Sequence, residues 1–495
     1  MELIRKGGIL LHISSLPSEF GIGDFGPEAV HFIDLLAESG LKIWQILPLG
    51  PNGPGNSPYQ AYSAYAGDPI LISPEKMVSW GLLDPKDLSG TTHFSSSETE
   101  FDKVTAWKTE IHRKAFRNFI LKADHSFKME YESFLKEHNW WLSDYALYAA
   151  CKSNYQGKSW NHWDKKLIKR DPETLKQVQW DLSKEYEFER FQQFLFFRQW
   201  FQLKNYANSK GIKILGDLPL YVSYDSSDVW ANQHIFLLDE KGNPLRVGGV
   251  PPDYFSEDGQ LWGNPLYNWK NLEKTNYQWW LARLYFNLHL FDLVRIDHFR
   301  GLESFWAIPA DAETAKIGEW MPAKGYEMLS ALKSQRGELP IIAEDLGIIT
   351  PEVKKLRDHF NLPGMKVLQF AFTTDETNEH FPHNFINRNI AYTGTHDNDT
   401  LLGWWQSLEN VDRKRVLSYL SLKRGTIRER FIEWVWSSTA EIAIIPMQDL
   451  LGLGNEARMN IPGSATGNWK WRYQKPMVRK SQFEFIKQLN KTYNR

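Results

Sequence analysis

The chain has 495 residues, enough for two to four domains or for one large domain with insertions around a sizeable core. Its 58 Lys and Arg against 60 Asp and Glu leave a net charge of −2, which speaks against a nucleic-acid or anionic-membrane partner. A single cysteine, Cys151, excludes an intramolecular disulfide and a cysteine-based metal site and suits a reducing, cytoplasmic compartment.

Short apolar runs recur along the chain, each ending in polar or glycine-rich residues. The N-terminal "MELIRKGGILLHISS" has too short an apolar stretch for a secretory signal peptide, and no run approaches the roughly 18 apolar residues of a membrane helix. The runs "GILLHISSL" (8–16), "KIWQILPLG" (42–50), "IKILGDLPLYV" (212–222) and "FDLVRIDHF" (291–299) read as strands, as do "LPIIAEDLG" (339–347), "MKVLQFAF" (365–372), "NIAYTGTHDN" (389–398) and "IAIIPMQDL" (442–450). Between them lie helical patterns such as "PEAVHFIDLLAESG" (27–40), with Ala29, Phe32, Ile33, Leu36 and Ala37 on one face and a stop at Gly40. Eight strands alternating with helices predict an α/β fold of the (β/α)8 TIM barrel type, whose active site lies at the C-terminal ends of the strands. The barrel is expected from 1–50 and 191–495. A mainly helical insertion is expected at 51–190, and a lid-forming insertion at 223–272, both leaving from the catalytic face. Aromatic residues make up 14 % of the chain, and several sit in loop-like stretches such as "GVPPDYFSEDGQLWGNPLYNW" (249–269), where flat faces suit sugar rings.

Four strand ends present acids: Asp217, Asp297, Glu344 and Asp397. Helix capping is the ordinary use of an acid at such a turn, and it is testable locally. Thr350 with Pro351 already caps the helix after Glu344, Asp399 or Thr400 is nearest the helix after Asp397 so that capping claims Asp399, and Asp225 with Asp228 suits the helix after Asp217. The acids that remain are free for chemistry. His12, His298 and His396 with "HDND" could ligate a metal, but no His-x-His or His-Glu-x-x-His pattern supports one, so no metal or other cofactor is expected. Neither a Gly-x-Ser-x-Gly elbow nor a glycine-rich phosphate loop is present.

In "DLVRIDHFRG" (292–301), Arg295 and Asp297 are two apart on a strand and share its inward face, an expensive place for charges without a function. Retaining glycosyl transfer needs one ionised carboxylate as nucleophile and one protonated carboxylic acid as acid/base. The neighbouring cation is expected to lower the pKa of Asp297 and keep it ionised. Glu344 follows the apolar "PIIA" and precedes Asp345, so desolvation and like charge are expected to raise it. Asp397 and His396 would hold substrate hydroxyls.

The strings "DLVRIDHFRG", "IIAEDLG" and "AYTGTHDNDT", with "ILGDLPLYV" upstream, resemble the ordered motifs of the α-amylase clan. More closely they resemble glycoside hydrolase family 77, the 4-α-glucanotransferases, together with "NSPYQAYSAYAGDP" (56–69), "GGVPPDYFSEDGQLWGNPLYNW" (248–269) and "GNEARMNIPGSATGNWKWR" (454–472). The resemblance implies Asp297 as nucleophile, Glu344 as acid/base and Asp397 as transition-state stabiliser, with Arg295, His396 and Asp217 lining the donor subsite. It further implies Tyr59 as a glucan contact, Tyr254 and Trp262 in or beside a lid over the acceptor side, and Asn468 and Trp469 in the late loop facing it. Implied partners are maltooligosaccharides, amylose or glycogen-derived α-1,4-glucans, with glucose as acceptor. An α-glucan hydrolase with water as acceptor and a glucan-binding protein with a dead site are the alternatives.

Overall fold

The structure, a computed structural model, describes residues 5–89, 93–252, 257–372, 378–420 and 426–495. Its strands in chain order are β1 (Lys6–Leu10), β2 (Ile43–Gln45), β3 (Lys213–Leu218), β4 (Arg246–Val250), β5 (Gln260–Pro265), β6 (Leu293–Ile296), β7 (Ser304–Pro309), β8 (Glu319–Pro322), β9 (Ile341–Ala343), β10 (Gly364–Val367), β11 (Asn389–Tyr392) and β12 (Ile442–Pro446). Eight of these pair in parallel in the sequence β10-β11-β12-β1-β2-β3-β6-β9. The Ala343 N–H donates to the Pro363 carbonyl at 2.9 Å and brings β9 against β10, so the sheet closes on itself. The seam between β12 and β1 joins residues as far apart as Lys6 and Ile442. This is a (β/α)8 barrel.

Each of the eight apolar runs carries one barrel strand, with β1 and β10 beginning just before theirs, and every strand stops short of the end of its run. β6 ends at Ile296, and two residues later His298 takes a left-handed backbone with φ +53°, which turns the chain away from the ladder. The polar halves of the runs are therefore irregular turns over the mouth, where side chains no longer have to alternate between two faces. The helix over 27–40 runs from Pro27 to Glu38 and buries Ala29, Phe32, Ile33 and Leu36, as its period requires.

Between β2 and β3 lie the long helices Phe101–Lys122, His125–Asn154 and Ser183–Ser209. The last of these crosses position 190 unbroken. Gln193 exchanges two hydrogen bonds with the backbone of Gly67 (2.8 and 2.9 Å), and Gln199 does the same with Ser73 (2.7 and 3.1 Å). Buried Lys108 reaches from the helix Phe101–Lys122 to Asp24 at 3.1 Å and to the Ile72 carbonyl at 2.9 Å. The stretch carrying Tyr59 is thus held against the barrel by buried polar groups whose partners are all supplied.

A second, antiparallel sheet of order β5-β4-β7-β8 stands beside the mouth. Its first two strands come from 223–272 and its last two from the segment after β6, with Val247 opposite Ile308. The 223–272 segment is therefore built into a sheet with chain that follows Asp297. Among the described residues no helix is long and apolar enough to cross a membrane.

Candidate active site

Asp217 on β3 and Arg295 on β6 are register partners on adjacent parallel strands, so their side chains leave the sheet on the same inward face. Arg295 Nη1 lies 2.6 Å from Asp217 Oδ2, and Nη2 lies 2.9 Å from Asp297 Oδ1. The Tyr59 hydroxyl donates to the same Asp217 oxygen at 2.8 Å. The guanidinium is shared between a sealed carboxylate and one at the open end, which is how the burial of charge foreseen in "VRIDHFRG" is met.

Glu344 follows β9 directly. Its backbone N–H donates to the Ile296 carbonyl at 3.1 Å, which places it beside the Asp297 turn. The His298 N–H donates to Oε2 at 2.7 Å and the Leu346 N–H to Oε1 at 3.0 Å, so one backbone donor fixes each oxygen. Burial pushes its carboxyl up to about 8, with Arg295 and the two N–H groups pulling down and the Asp297 charge pushing up. Burial also raises Asp297, to about 6, because desolvation outweighs the Arg295 guanidinium while Asp217 and Asp397 add like charge. Two expectations are corrected here. The Arg295 cation does not bring Asp297 below its ordinary value; it limits a rise caused by burial. The like charge acting on Glu344 is Asp297, since Asp345 is paired with Arg357 and accepts the Met365 N–H. Burial thus raises both carboxyls, Glu344 further above its ordinary value than Asp297.

Asp397 and His396 follow β11. His396 Nε2 lies 3.3 Å from Asp397 Oδ2, and Asn460 Nδ2 donates to Oδ1 at 2.6 Å. Burial would raise Asp397, but His396, Asn460 and Arg295 together hold it well below the usual carboxylate range. Burial likewise would lower His396, and Asp397 reverses that. The His396 ring stacks on Tyr59 with centroids 5.2 Å apart, and Trp469 packs against both, 5.8 Å from Tyr59 and 5.9 Å from His396. Tyr59, Asp217, Arg295, Asp297, Glu344, His396 and Asp397 are thus gathered at one mouth, tied by direct contacts or by the charges they exert on one another.

The remaining predicted positions are less uniform. Trp262, on β5, meets the His298 ring edge-on with centroids 4.8 Å apart and donates to Gln260 Oε1 at 3.1 Å. Asn468 is committed to its own loop: Oδ1 accepts from the Ile461 N–H at 3.0 Å and Nδ2 donates to the Ser464 carbonyl at 2.9 Å. Tyr254 lies outside the described residues. Two capping expectations are corrected. Thr400, not Asp399, caps the helix Leu401–Ser407, and Asp399 instead accepts from Asn455 at 2.8 Å. Ser226 caps the helix Ser227–Ala231, leaving Asp225 to Tyr148 and Lys152 and Asp228 to the Ala64 N–H. Thr350 caps its helix as expected. Asn460 and Arg458, whose Nη2 donates to the Asp397 carbonyl at 2.7 Å, were not singled out by sequence reasoning. They lie 61 and more residues from Asp397 in a loop without strand signals.

The sequence profile of glycoside hydrolase family 77, described as 4-alpha-glucanotransferase, matches residues 11–478. The chain belongs to this family. It is 49 % identical over 477 residues to the 4-alpha-glucanotransferase of Synechocystis, covering 95 % of this chain and 94 % of that one. It is 46 % identical over 480 residues to the enzyme of Thermus thermophilus, covering 95 % of each. Among solved structures, the amylomaltase from Streptococcus agalactiae in complex with acarbose superimposes with a TM-score of 0.96 at 38 % identity, covering 99 % of both chains. Family 77 membership, the barrel and the carboxylate mouth agree with one another.

Proposed function

We propose that this family 77 4-α-glucanotransferase works by double displacement, with Asp297 as nucleophile and Glu344 as acid/base. Asp297 attacks the anomeric carbon of an α-1,4-glucan from below while Glu344 gives its proton to the glycosidic oxygen, which departs as a free 4-hydroxyl. The donor segment is then held as a β-linked ester on Asp297. An incoming 4-hydroxyl from glucose or another glucan gives its proton to the Glu344 carboxylate and attacks the same carbon. Asp297 leaves, and the α configuration is restored.

One observation carries this assignment: at neighbouring strand ends, Asp297 opens to the cleft with Arg295 Nη2 2.9 Å away, while buried Glu344 is fixed by the His298 and Leu346 N–H groups and is raised by burial. Asp397, held ionised by His396 and Asn460, faces the charge that develops on the sugar ring and grips its hydroxyls together with His396. Tyr59, Asp217 and Arg295 form the donor-side wall. Trp262 forms the acceptor side as a lid, and Asn468 and Trp469 face it from the late loop. Maltooligosaccharides and amylose or glycogen-derived glucans serve as substrates, in a reducing cytoplasm that suits the buried Cys151 thiol.

Incubation with maltotriose alone tests the reading. A ladder of longer oligomers together with glucose is the expected product pattern. Glucose and maltose without extension would replace transfer with hydrolysis, and unchanged maltotriose would leave only a binding protein.

A further inference from the structure

A guanidinium carries five N–H donors in one plane, and its aim is set by all the groups that receive them. For Arg295 two directions are accounted for by Asp217 and Asp297. The third has not been used: Nε donates to Met365 Sδ at 3.4 Å. Met365 is fully buried on β10, and its own N–H donates to Asp345 Oδ1 at 2.7 Å, with Asp345 clamped by Arg357. The acid directly after Glu344 therefore fixes the backbone of the residue whose sulfur receives Arg295.

We propose that Met365 is a positioning residue for glucan transfer: its thioether accepts the Nε–H of Arg295 and fixes the plane of the guanidinium, so that Nη2 is delivered to Asp297 while Nη1 stays on Asp217. A thioether is a weak acceptor, but Arg295 is almost fully buried and the sulfur is the partner Nε has there. Without it the N–H is left unsatisfied, and the guanidinium turns to share its charge with Asp217 at the expense of Asp297. The Asp297 carboxyl faces Arg295 and Asp217 from β6 and β3, His396 and Asp397 from the turn after β11, and Glu344 from the turn after β9. Of these, only the approach of Arg295 depends on Met365. The inference rests on the reading of Asp297 as nucleophile.

The test compares Met365→Leu, which keeps the volume and removes the acceptor, with Met365→Gln, which restores an oxygen acceptor; swaps of Met for Leu are among the best tolerated in cores. With maltotriose, the Leu variant is expected to lose about tenfold in kcat with KM within about twofold, the cost of one orphaned buried donor. The acidic limb of kcat/KM moves to higher pH, since Asp297 loses its cation, and the Gln variant returns it toward its original position. A Leu variant with unchanged kcat and limb would overturn the proposal. So would Leu and Gln variants equally slowed with an unmoved limb, because Met365 would then only fill space. Asp297→Asn run alongside separates the two failures: if it turns over, the reading of Asp297 fails; if it is inert while Met365→Leu is normal, only the role of Met365 fails.

Discussion

Arg295 Nη2 stands 2.9 Å from Asp297 Oδ1 in an unequal pair, with 4 % of the arginine side chain exposed against 29 % of the carboxylate. The cation is sealed in the barrel and the anion faces the cleft. Only a forked, planar cation can meet Asp217 and Asp297 together, so Arg295→Lys keeps the charge and loses one contact. Its kcat/KM for maltotriose is expected to fall roughly a hundredfold, by loss of a buried charge-assisted bond of about 2–3 kcal/mol. A lysine variant within a few-fold of the parent would show that charge alone suffices.

Asp297→Asn removes the proposed nucleophile without changing the shape of the side chain. Transfer activity is expected to fall by roughly four orders of magnitude or more, while the circular dichroism spectrum matches the parent. Mass spectrometry of the parent trapped with a 2-fluoro or 5-fluoro glycosyl donor should place the sugar on Asp297. Label on any other carboxylate would reassign the role.

The pH profile follows from the two raised carboxyls. Asp297 must be ionised and Glu344 protonated, so kcat/KM is expected to be bell-shaped between limbs near 6 and 8, values that belong to the interacting pair. Glu344→Gln should retain its first step only with a donor whose leaving group needs no proton, such as a maltosyl fluoride, and the basic limb should vanish. Persistence of that limb in the Gln variant would assign it to another group.

Stability should run against function at Glu344. Its ordinary value is 4.5 and its folded value about 8, so below pH 4.5 both states hold the proton and its burial as a charge costs nothing. As pH rises from 4.5 to 8 the unfolded chain releases the proton first, and folded stability falls until it levels off above 8. Glu344→Gln is therefore expected to be more stable than the parent by an amount that grows over this window to the order of a few kcal/mol, and to match it at pH 4. Thermal unfolding across pH 4–9 reads this directly. A constant difference would mean that the gain is not one of charge.

The Asn460 side chain donates to Asp397 at 2.6 Å, while its carbonyl accepts from Arg458 Nε at 2.8 Å. Asn460→Ala leaves that oxygen without its donor and is expected to lower kcat about tenfold, the equivalent of one charge-assisted hydrogen bond. Asn460→Asp should do worse by setting a second anion against Asp397. An alanine variant with full kcat would reduce Asn460 to a loop residue.

The barrel was legible because eight apolar runs of strand length must be buried whichever loops join them. The gathering of Asp297, Glu344 and Asp397 at one mouth was legible because Thr350 supplies the cap that would otherwise explain an acid at Glu344, and because Thr400 and Ser226 do the same where Asp399 and Asp225 had been expected. What stayed hidden depends on long-range contact. Nothing near Met365 in "GMKVLQF" announces that its sulfur meets Arg295, 70 residues away. Asn460 and Arg458 reach Asp397 from a loop with no periodic pattern, and β7 pairs with β4 across the whole of the intervening chain. The shift of Asp297 was misjudged in sign because a sequence displays the neighbouring cation but not the depth at which both are set.

The β1 and β12 seam has a bearing on how the chain is made. Lys6 cannot find Ile442 until more than four hundred further residues have left the ribosome, and until then β1 offers an open hydrogen-bonding edge. Seven parallel strands and a large aromatic insertion must wait as an unclosed sheet. An open strand edge during synthesis follows from the order in which the staves of this barrel emerge, and contacts as distant as Lys6 with Ile442 predict slow refolding from denaturant.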